Sequence, residues 1–220
     1  MTSSQIIELL SQGLLETLYM VIVSAALAYV LGLPLGILLV VTDENGIKPK
    51  PVFNKVLGIF VNIVRSIPFI ILLVWVTPVT RALIGTTLGP TATIVPLVFA
   101  SAPYIARMVE ASLKEVDAGV VEAAQSMGAT PMQIVTKVLL PEAKPALIVG
   151  AAIAAVTILG YTAMSGFTGG GGLGTVAINY GYYRYKGDIM MLNVIVIVIV
   201  VQVMQEIGMH LARRSDKRAR

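Results

Sequence analysis

The sequence predicts an all-α integral membrane protein with five transmembrane helices. Its composition and the length of its uncharged runs carry that expectation. The 220 residues are 56% hydrophobic and 13% charged, with a mean hydropathy of +0.86, where a soluble domain holds about 25% charged residues. Residues 17–42, 82–106 and 145–183 contain no Asp, Glu, Lys, Arg or His over 26, 25 and 39 positions. About 20 apolar residues suffice to cross ~30 Å of hydrocarbon.

The first span is expected at about 14–41, opening near Glu16 and Thr17. No Lys or Arg precedes Thr17, and the apolar run outlasts a signal-peptide core, so it reads as a retained span. Gly32, Pro34 and Gly36 are expected to bend its second half. The second span, about 56–79, holds Arg65 inside it and Trp75 near its far end. The third, about 91–113, carries Pro96 and Pro103. The sequence SGFTGGGGLG (165–174) splits the longest run and leaves a fourth span at about 145–164. The fifth, about 188–211, surrounds MLNVIVIVIVVQVM. Its β-branched run suggests a strand, but a lone strand in lipid leaves its backbone unsatisfied, so helix is the stronger reading. The expectation is one transmembrane domain over 1–220, with a cytoplasmic loop at 114–144.

Basic residues orient the chain. Lys48, Lys50, Lys55, Arg107, Lys114, Lys137, Lys144, Arg213, Arg214, Lys217, Arg218 and Arg220 fall on one side. Arg81, Arg184 and Lys186 fall on the other. The positive-inside rule makes the richer side cytoplasmic, with the N-terminus outside and the C-terminus inside. Tyr180, Tyr182, Tyr183 and Tyr185 then lie at the outer interface, as an anchoring belt or a partner contact. The isoelectric point near 9.4 follows from these basic loops, so no nucleic-acid partner is inferred. The chain has no cysteine, and His210 has no partner at metal-ligand spacing, so no metal site is expected.

Residues 121–141, VEAAQSMGATPMQIVTKVLLP, form a polar module in this apolar chain. Asp117 is placed to cap a short helix ending near Met127. Gly128 suits a left-handed position after it. Thr130, Pro131 and Gln133 read as a second helix start with a capping box. Pro141 ends that helix or bends it into the next span. Two short helices meeting at a Gly-Ala-Thr elbow are expected, either as a simple connection or as a surface another protein approaches closely.

Glu122, Ala123, Ala124, Gly128, Leu140 and Pro141 resemble the EAA loop of bacterial ABC importer permeases, E-A-A-x3-G-x9-I-x-L-P, with Val138 in the Ile position. RSIPFIILLVW (65–75), ARMVE (106–110) and GGGGLG are similar to segments of the methionine-importer permeases. Polar amino-acid permeases share the Arg65 and Pro68 feature. The resemblance implies the type I ABC importer architecture in a bacterial cytoplasmic (inner) membrane. It implies a homodimer, two cytoplasmic ATPase subunits, and an extracytoplasmic substrate-binding lipoprotein. ATP and Mg would be bound by the ATPase, so this chain would be no enzyme and hold no cofactor. The six loop residues would couple it to the ATPase, and the cargo would be L- and D-methionine, moved by alternating access. Alternatives are another amino acid, a betaine-type solute, or an ion-coupled secondary transporter. The last would more naturally show paired repeats and acidic residues at mid-membrane.

GGGGLGT (169–175) has G-x4-G spacing, but Thr175 stands where a phosphate loop needs Lys. An irregular outer loop, or a bend where a short helix re-enters, is expected instead. Polar groups within spans are functional suspects. Arg65, beside Pro68, is placed to snorkel, pair with a carbonyl, or join Glu110. Tyr161, Met164 and Ser165, with Thr162, surround the break after the fourth span. Tyr161 and Met164 share a helical face, which lines a pathway or gate, or packs.

Overall fold

The computed structural model describes residues 2–215; Lys217, Arg218 and Arg220 lie outside them. The described chain forms ten α-helices in order: α1 (Ser3–Val41), α2 (Pro51–Ser66), α3 (Phe69–Trp75), α4 (Thr77–Ile84), α5 (Pro90–Lys114), α6 (Ala118–Ser126), α7 (Pro131–Ile134), α8 (Leu140–Ser165), α9 (Gly172–Val176) and α10 (Gly187–Ser215). A π-helical segment, Val135–Leu139, joins α7 to α8. A 3₁₀ turn, Gly166–Thr168, follows α8, and a second π segment, Ala177–Tyr182, follows α9. Four helical runs are long and apolar enough to cross a membrane: Ser3–Val41, Pro90–Lys114, Pro131–Thr168 and Gly187–Ser215. The α2–α3 pair makes a fifth if the two count as one bent span.

The expected second span is the main correction. Residues 56–79 are not one helix: α2 and α3 meet at 100°. Pro68 sits at the break with ψ of 135°. It lacks a backbone N–H, and its ring disfavours helical geometry at Ile67, so the ladder stops there. Pro78 breaks nothing, because it lies in the first turn of α4, where a missing donor costs no helical bond.

In two other places helix runs on through residues expected to bend or stop it. α1 starts at Ser3 and runs 39 residues through Gly32, Pro34 and Gly36, roughly 58 Å at 1.5 Å per residue. The two glycines permit close approach. A Cβ on Gly32 would lie 2.7 Å from the Ala102 carbonyl, and one on Gly36 2.6 Å from that of Ala106. Small residues let helix backbones meet where lipid supplies no hydrophobic drive. Pro141 does not end its helix either, since residues Pro131–Thr168 are one helical run. The π segment just before it re-registers the ladder around a residue that cannot donate.

The chain divides into two compact units. The first comprises residues to Ala28, Ile67–Ser101 and Ala154–Gln205. Its core gathers Met20 and Val21 of α1, Phe69 and Leu73 of α3, Leu97 of α5, and Ile158 and Leu159 of α8. Val200, Val201 and Met204 of α10 pack against them. The second comprises Tyr29–Ser66, Ala102–Ile153 and the chain from Glu206. There Leu39, Val61, Ile105, Val109, Leu113, Ile134 and Leu139 are buried. Ile195, Ile199 and Val203 of α10 are among many large apolar side chains left exposed, as lipid-facing residues are.

The glycine-rich segment belongs to the first unit, and the short helix α9 follows it. Gly171 and Gly172 hold φ of 86° and 70°, which favours glycine. A Cβ on Gly170 would lie 2.5 Å from the Ser165 hydroxyl and 2.6 Å from that of Thr93. Two α1 side chains accept from the first N–H groups of α9. The Glu16 carboxylate takes that of Gly172 at 2.7 Å, and the Thr17 hydroxyl takes that of Leu173 at 2.9 Å. Asn193 of α10 donates to the Leu173 carbonyl at 3.1 Å. The segment is thus a packed corner whose leading N–H groups already face a carboxylate and a hydroxyl. Thr17→Val removes a buried acceptor and should cost about 1–3 kcal/mol. A lowered thermal unfolding midpoint in detergent and faster proteolysis within 166–187 would register it, with Thr17→Ser close to wild type.

Candidate functional site

The elbow between α5 and α8 is built from local bonds. The Asp117 carboxylate accepts from the Gly119 N–H at 2.7 Å and caps α6. α6 closes through Gly128 at φ 77°. The Gly128 N–H donates to the Gln125 carbonyl at 2.9 Å, and the Ala129 N–H to the Ala124 carbonyl at 3.1 Å. This pair is a Schellman ending, which satisfies carbonyls a helix otherwise leaves free. Two residues later Thr130 caps α7. Its hydroxyl accepts from the Gln133 N–H, and the Gln133 side-chain oxygen accepts from the Thr130 N–H at 2.8 Å. Pro131 occupies the first helical position. No side chain lies within 4 Å of where a Gly128 Cβ would stand.

The six loop residues differ in exposure. Glu122, Ala123, Gly128 and Pro141 are exposed, Leu140 is half-buried, and Ala124 is buried. Ala124 therefore packs inward while Ala123 faces out. Sequence reasoning passed over two neighbours: Met127 is 81% exposed and Met132 71% exposed, on either side of Gly128. Flexible thioether chains suit an adaptable contact. The available signal was their position, flanking the turn in a polar stretch.

A chain of charges lies at the elbow's root. Asp43, just after α1, meets Lys114 at 2.9 Å; Lys114 meets Glu110 at 3.0 Å; Glu110 meets Arg107 at 2.6 Å. Arg107 also donates to the Gly58 carbonyl of α2 at 3.0 Å. The hydrogen bond from Lys114 holds the Asp43 carboxyl below its ordinary range; burial opposes this, and the Asn45 N–H adds to it. A carboxyl held low contributes stability at neutral pH and loses it as pH falls through the lowered value. Beside this chain opens a cleft of about 530 Å³. The Asp43–Ile47 turn forms one wall, and Val121, Glu122 and Gln125 of α6 the other.

The pathway candidates sit in different surroundings. Arg65 is exposed, with its guanidinium 6.0 Å from the centre of the Tyr104 ring. Glu110, one expected partner, is held by Arg107 and Lys114 instead. Pro68 marks the 100° turn. Tyr161 is half-buried and stacks on Phe69 at 4.6 Å between ring centres. Ser165 is fully buried and donates to the Thr162 carbonyl at 2.7 Å. Met164 is 47% exposed. In the tyrosine cluster, Arg184 lies 4.5 Å over the Tyr180 ring, and Tyr182, Tyr183 and Tyr185 are exposed.

Comparison with known proteins supplies the family. Residues 32–220 match the model of the binding-protein-dependent transport system inner membrane component. The chain is 48% identical over 211 residues to a probable D-methionine transport system permease protein of Vibrio cholerae serotype O1, covering 96% of this chain and 94% of that one. It is 52% identical over 158 residues to the D-methionine transport system permease protein of Escherichia coli K12, covering 72% and 73%. Among solved structures, an inward-facing conformation of the MetNI methionine ABC transporter superposes with a TM-score of 0.97 at 46% identity, covering 98% of this chain and all of that one. An amino acid ABC transporter at 18% identity has a TM-score of 0.79 and shares the fold. The architecture is the all-helical, multi-pass type I ABC permease fold. The chain belongs to the family of binding-protein-dependent transport system inner membrane components.

Proposed function

We propose that this chain is the membrane-spanning permease subunit of an ATP-driven ABC importer that moves methionine, in its L and D forms, across a bacterial inner membrane. One observation carries the reading: 46% identity and a TM-score of 0.97 to a methionine ABC transporter over 98% of the chain. In this reading the whole chain acts as one transmembrane permease domain. Its N-terminus faces outside and its C-terminus the cytoplasm, following the basic-residue bias. Two copies pair, two cytoplasmic ATPases sit beneath them and bind ATP and Mg, and an extracytoplasmic binding protein delivers substrate.

The elbow is the mechanical link. Glu122, Ala123, Ala124, Gly128, Leu140 and Pro141 form the coupling surface, with Met127 and Met132 beside them. ATPase closure presses on this capped knob. The helical run from Pro131 to Thr168 carries the displacement as a rod, opening the pathway alternately to each side. Tyr161, Met164, Ser165, Arg65 and Pro68 are the proposed pathway and gate residues.

Reconstitution with the partner ATPase and binding protein tests the whole reading. Uptake of radiolabelled methionine should require hydrolysable ATP and be competed by unlabelled L- and D-methionine ahead of other amino acids and betaines. Uptake driven by an ion gradient without ATP would overturn it. The coupling role separates from backbone strain through two substitutions at Gly128. Gly128→Ala adds only the cost of a side chain at positive φ, about 1 kcal/mol, and should keep most transport. Gly128→Trp adds bulk at the contact and should abolish uptake while leaving membrane insertion intact; wild-type uptake in it would defeat the coupling assignment. For the pathway, Met164→Ala and Tyr161→Phe, which keeps the stack on Phe69, should both lower uptake at unchanged ATPase rates. Unchanged uptake in both would remove these residues from the pathway.

A further inference from the structure

The charge chain at the elbow's root ties the end of α5 to the turn between α1 and α2 and to α2 itself, both far from α5 in sequence. Asp43 sits on the segment after α1, Lys114, Glu110 and Arg107 on the last two turns of α5, and Gly58 on α2. The segment carrying Asp43 is itself stiff. Lys48 donates its N–H to the Val41 carbonyl at 2.9 Å and Lys50 to that of Thr42 at 3.0 Å. The Asn54 side chain donates to the Leu39 carbonyl at 2.6 Å. The chain of charges therefore ties one rigid part to another. Asp43 and Lys114 are 30% and 47% exposed, while the Glu110–Arg107 end is shielded, at 13% and 24%. Pairs in that position are weakened by salt far less than surface pairs. Two acids and two bases leave the cluster neutral, so removing one partner leaves an uncompensated charge beside the others.

Beyond Lys114, only residues 115–117 separate α5 from α6. The face of α6 that carries Val121, Glu122 and Gln125 lines the 530 Å³ cleft. A push on α6 thus meets a short connector that can bend and a cleft that can close. Unless the end of α5 is anchored, the connector absorbs the push.

We propose that Asp43, Lys114, Glu110 and Arg107 are positioning residues for coupling: they anchor the root of the elbow to the end of α1 and to α2, so that a displacement of α6 moves those helices instead of bending residues 115–117. This rests on the reading that the elbow receives the ATPase. The four residues touch neither substrate nor nucleotide. They act through the elbow, so their loss shows in the ratio of transport to hydrolysis.

The test uses the reconstituted importer, with uptake of radiolabelled methionine and ATP hydrolysis measured on the same vesicles. Asp43→Asn should lower methionine taken up per ATP hydrolysed by about fivefold or more, the lower end of ordinary coupling between sites. Hydrolysis and co-purification with the ATPase should stay near wild type. Asp43→Glu, which restores the carboxylate, should recover the ratio. Lys114→Met keeps the stem and removes the charge; it should behave as Asp43→Asn does, and it decides the matter if Asp43→Asn fails to assemble. An unchanged ratio, or uptake and hydrolysis falling together, overturns the proposal. Gly128→Trp run in parallel separates the two readings. If it uncouples while Asp43→Asn and Lys114→Met do not, the anchor fails and the elbow stands. If it too leaves the ratio unchanged, the docking reading itself fails.

Discussion

Hydrocarbon offers no hydrogen bond, so within a bilayer every backbone N–H and C=O must find its partner inside the chain. Long helices meet that demand along their length. The demand becomes acute wherever a helix stops, and this chain has several stops among its described residues. Each carries a specific answer. At Pro68 the ladder ends where one donor is already missing. Before Pro141 a π segment absorbs the defect and the helix continues. Ahead of α9 the exposed N–H groups face Glu16 and Thr17. A carboxylate on α1 is therefore held in place by the backbone geometry of a glycine-rich corner.

The same constraint shapes packing. Apolar side chains gain nothing by leaving lipid for one another, so close approach must come from shape. Gly32 and Gly36 let α1 lie against the α5 backbone, and a methyl group at either would collide with a carbonyl. Large aliphatic residues of α10 stay exposed. Polar contacts between elements include those at the glycine corner, around Asn54 and along Asp43–Lys114–Glu110–Arg107.

The elbow follows a different physics, because its caps are all short-range. Asp117, Gly128, Thr130, Pro131 and Gln133 each act on residues within five positions. That makes it a stiff knob whose form is set by its own residues. Its exposed methionines and small residues then offer an adaptable surface on a fixed frame.

Local chemistry was legible in the order of the residues. The apolar runs pointed to the four long helices because crossing hydrocarbon needs a minimum length. The caps identified the elbow because capping bonds link residues two to five apart. Where a decision depended on distant partners, the sequence was silent. Glu16 and Thr17 looked like the opening of a span, yet they meet backbone 156 positions away. Arg65 and Glu110 looked like a plausible pair, but Glu110 is held by its own helix neighbours, and Lys114 is drawn to Asp43, 71 positions away. Pro68 announced a kink without its size, because a missing N–H says where a ladder stops but not which way the next helix leaves. The sequence by itself determined class, the long apolar runs and the elbow, since period, length and capping act within a few residues. Tertiary structure alone decided which polar groups satisfy which breaks and how α3 turns from α2, because those are choices among distant partners that no local pattern encodes.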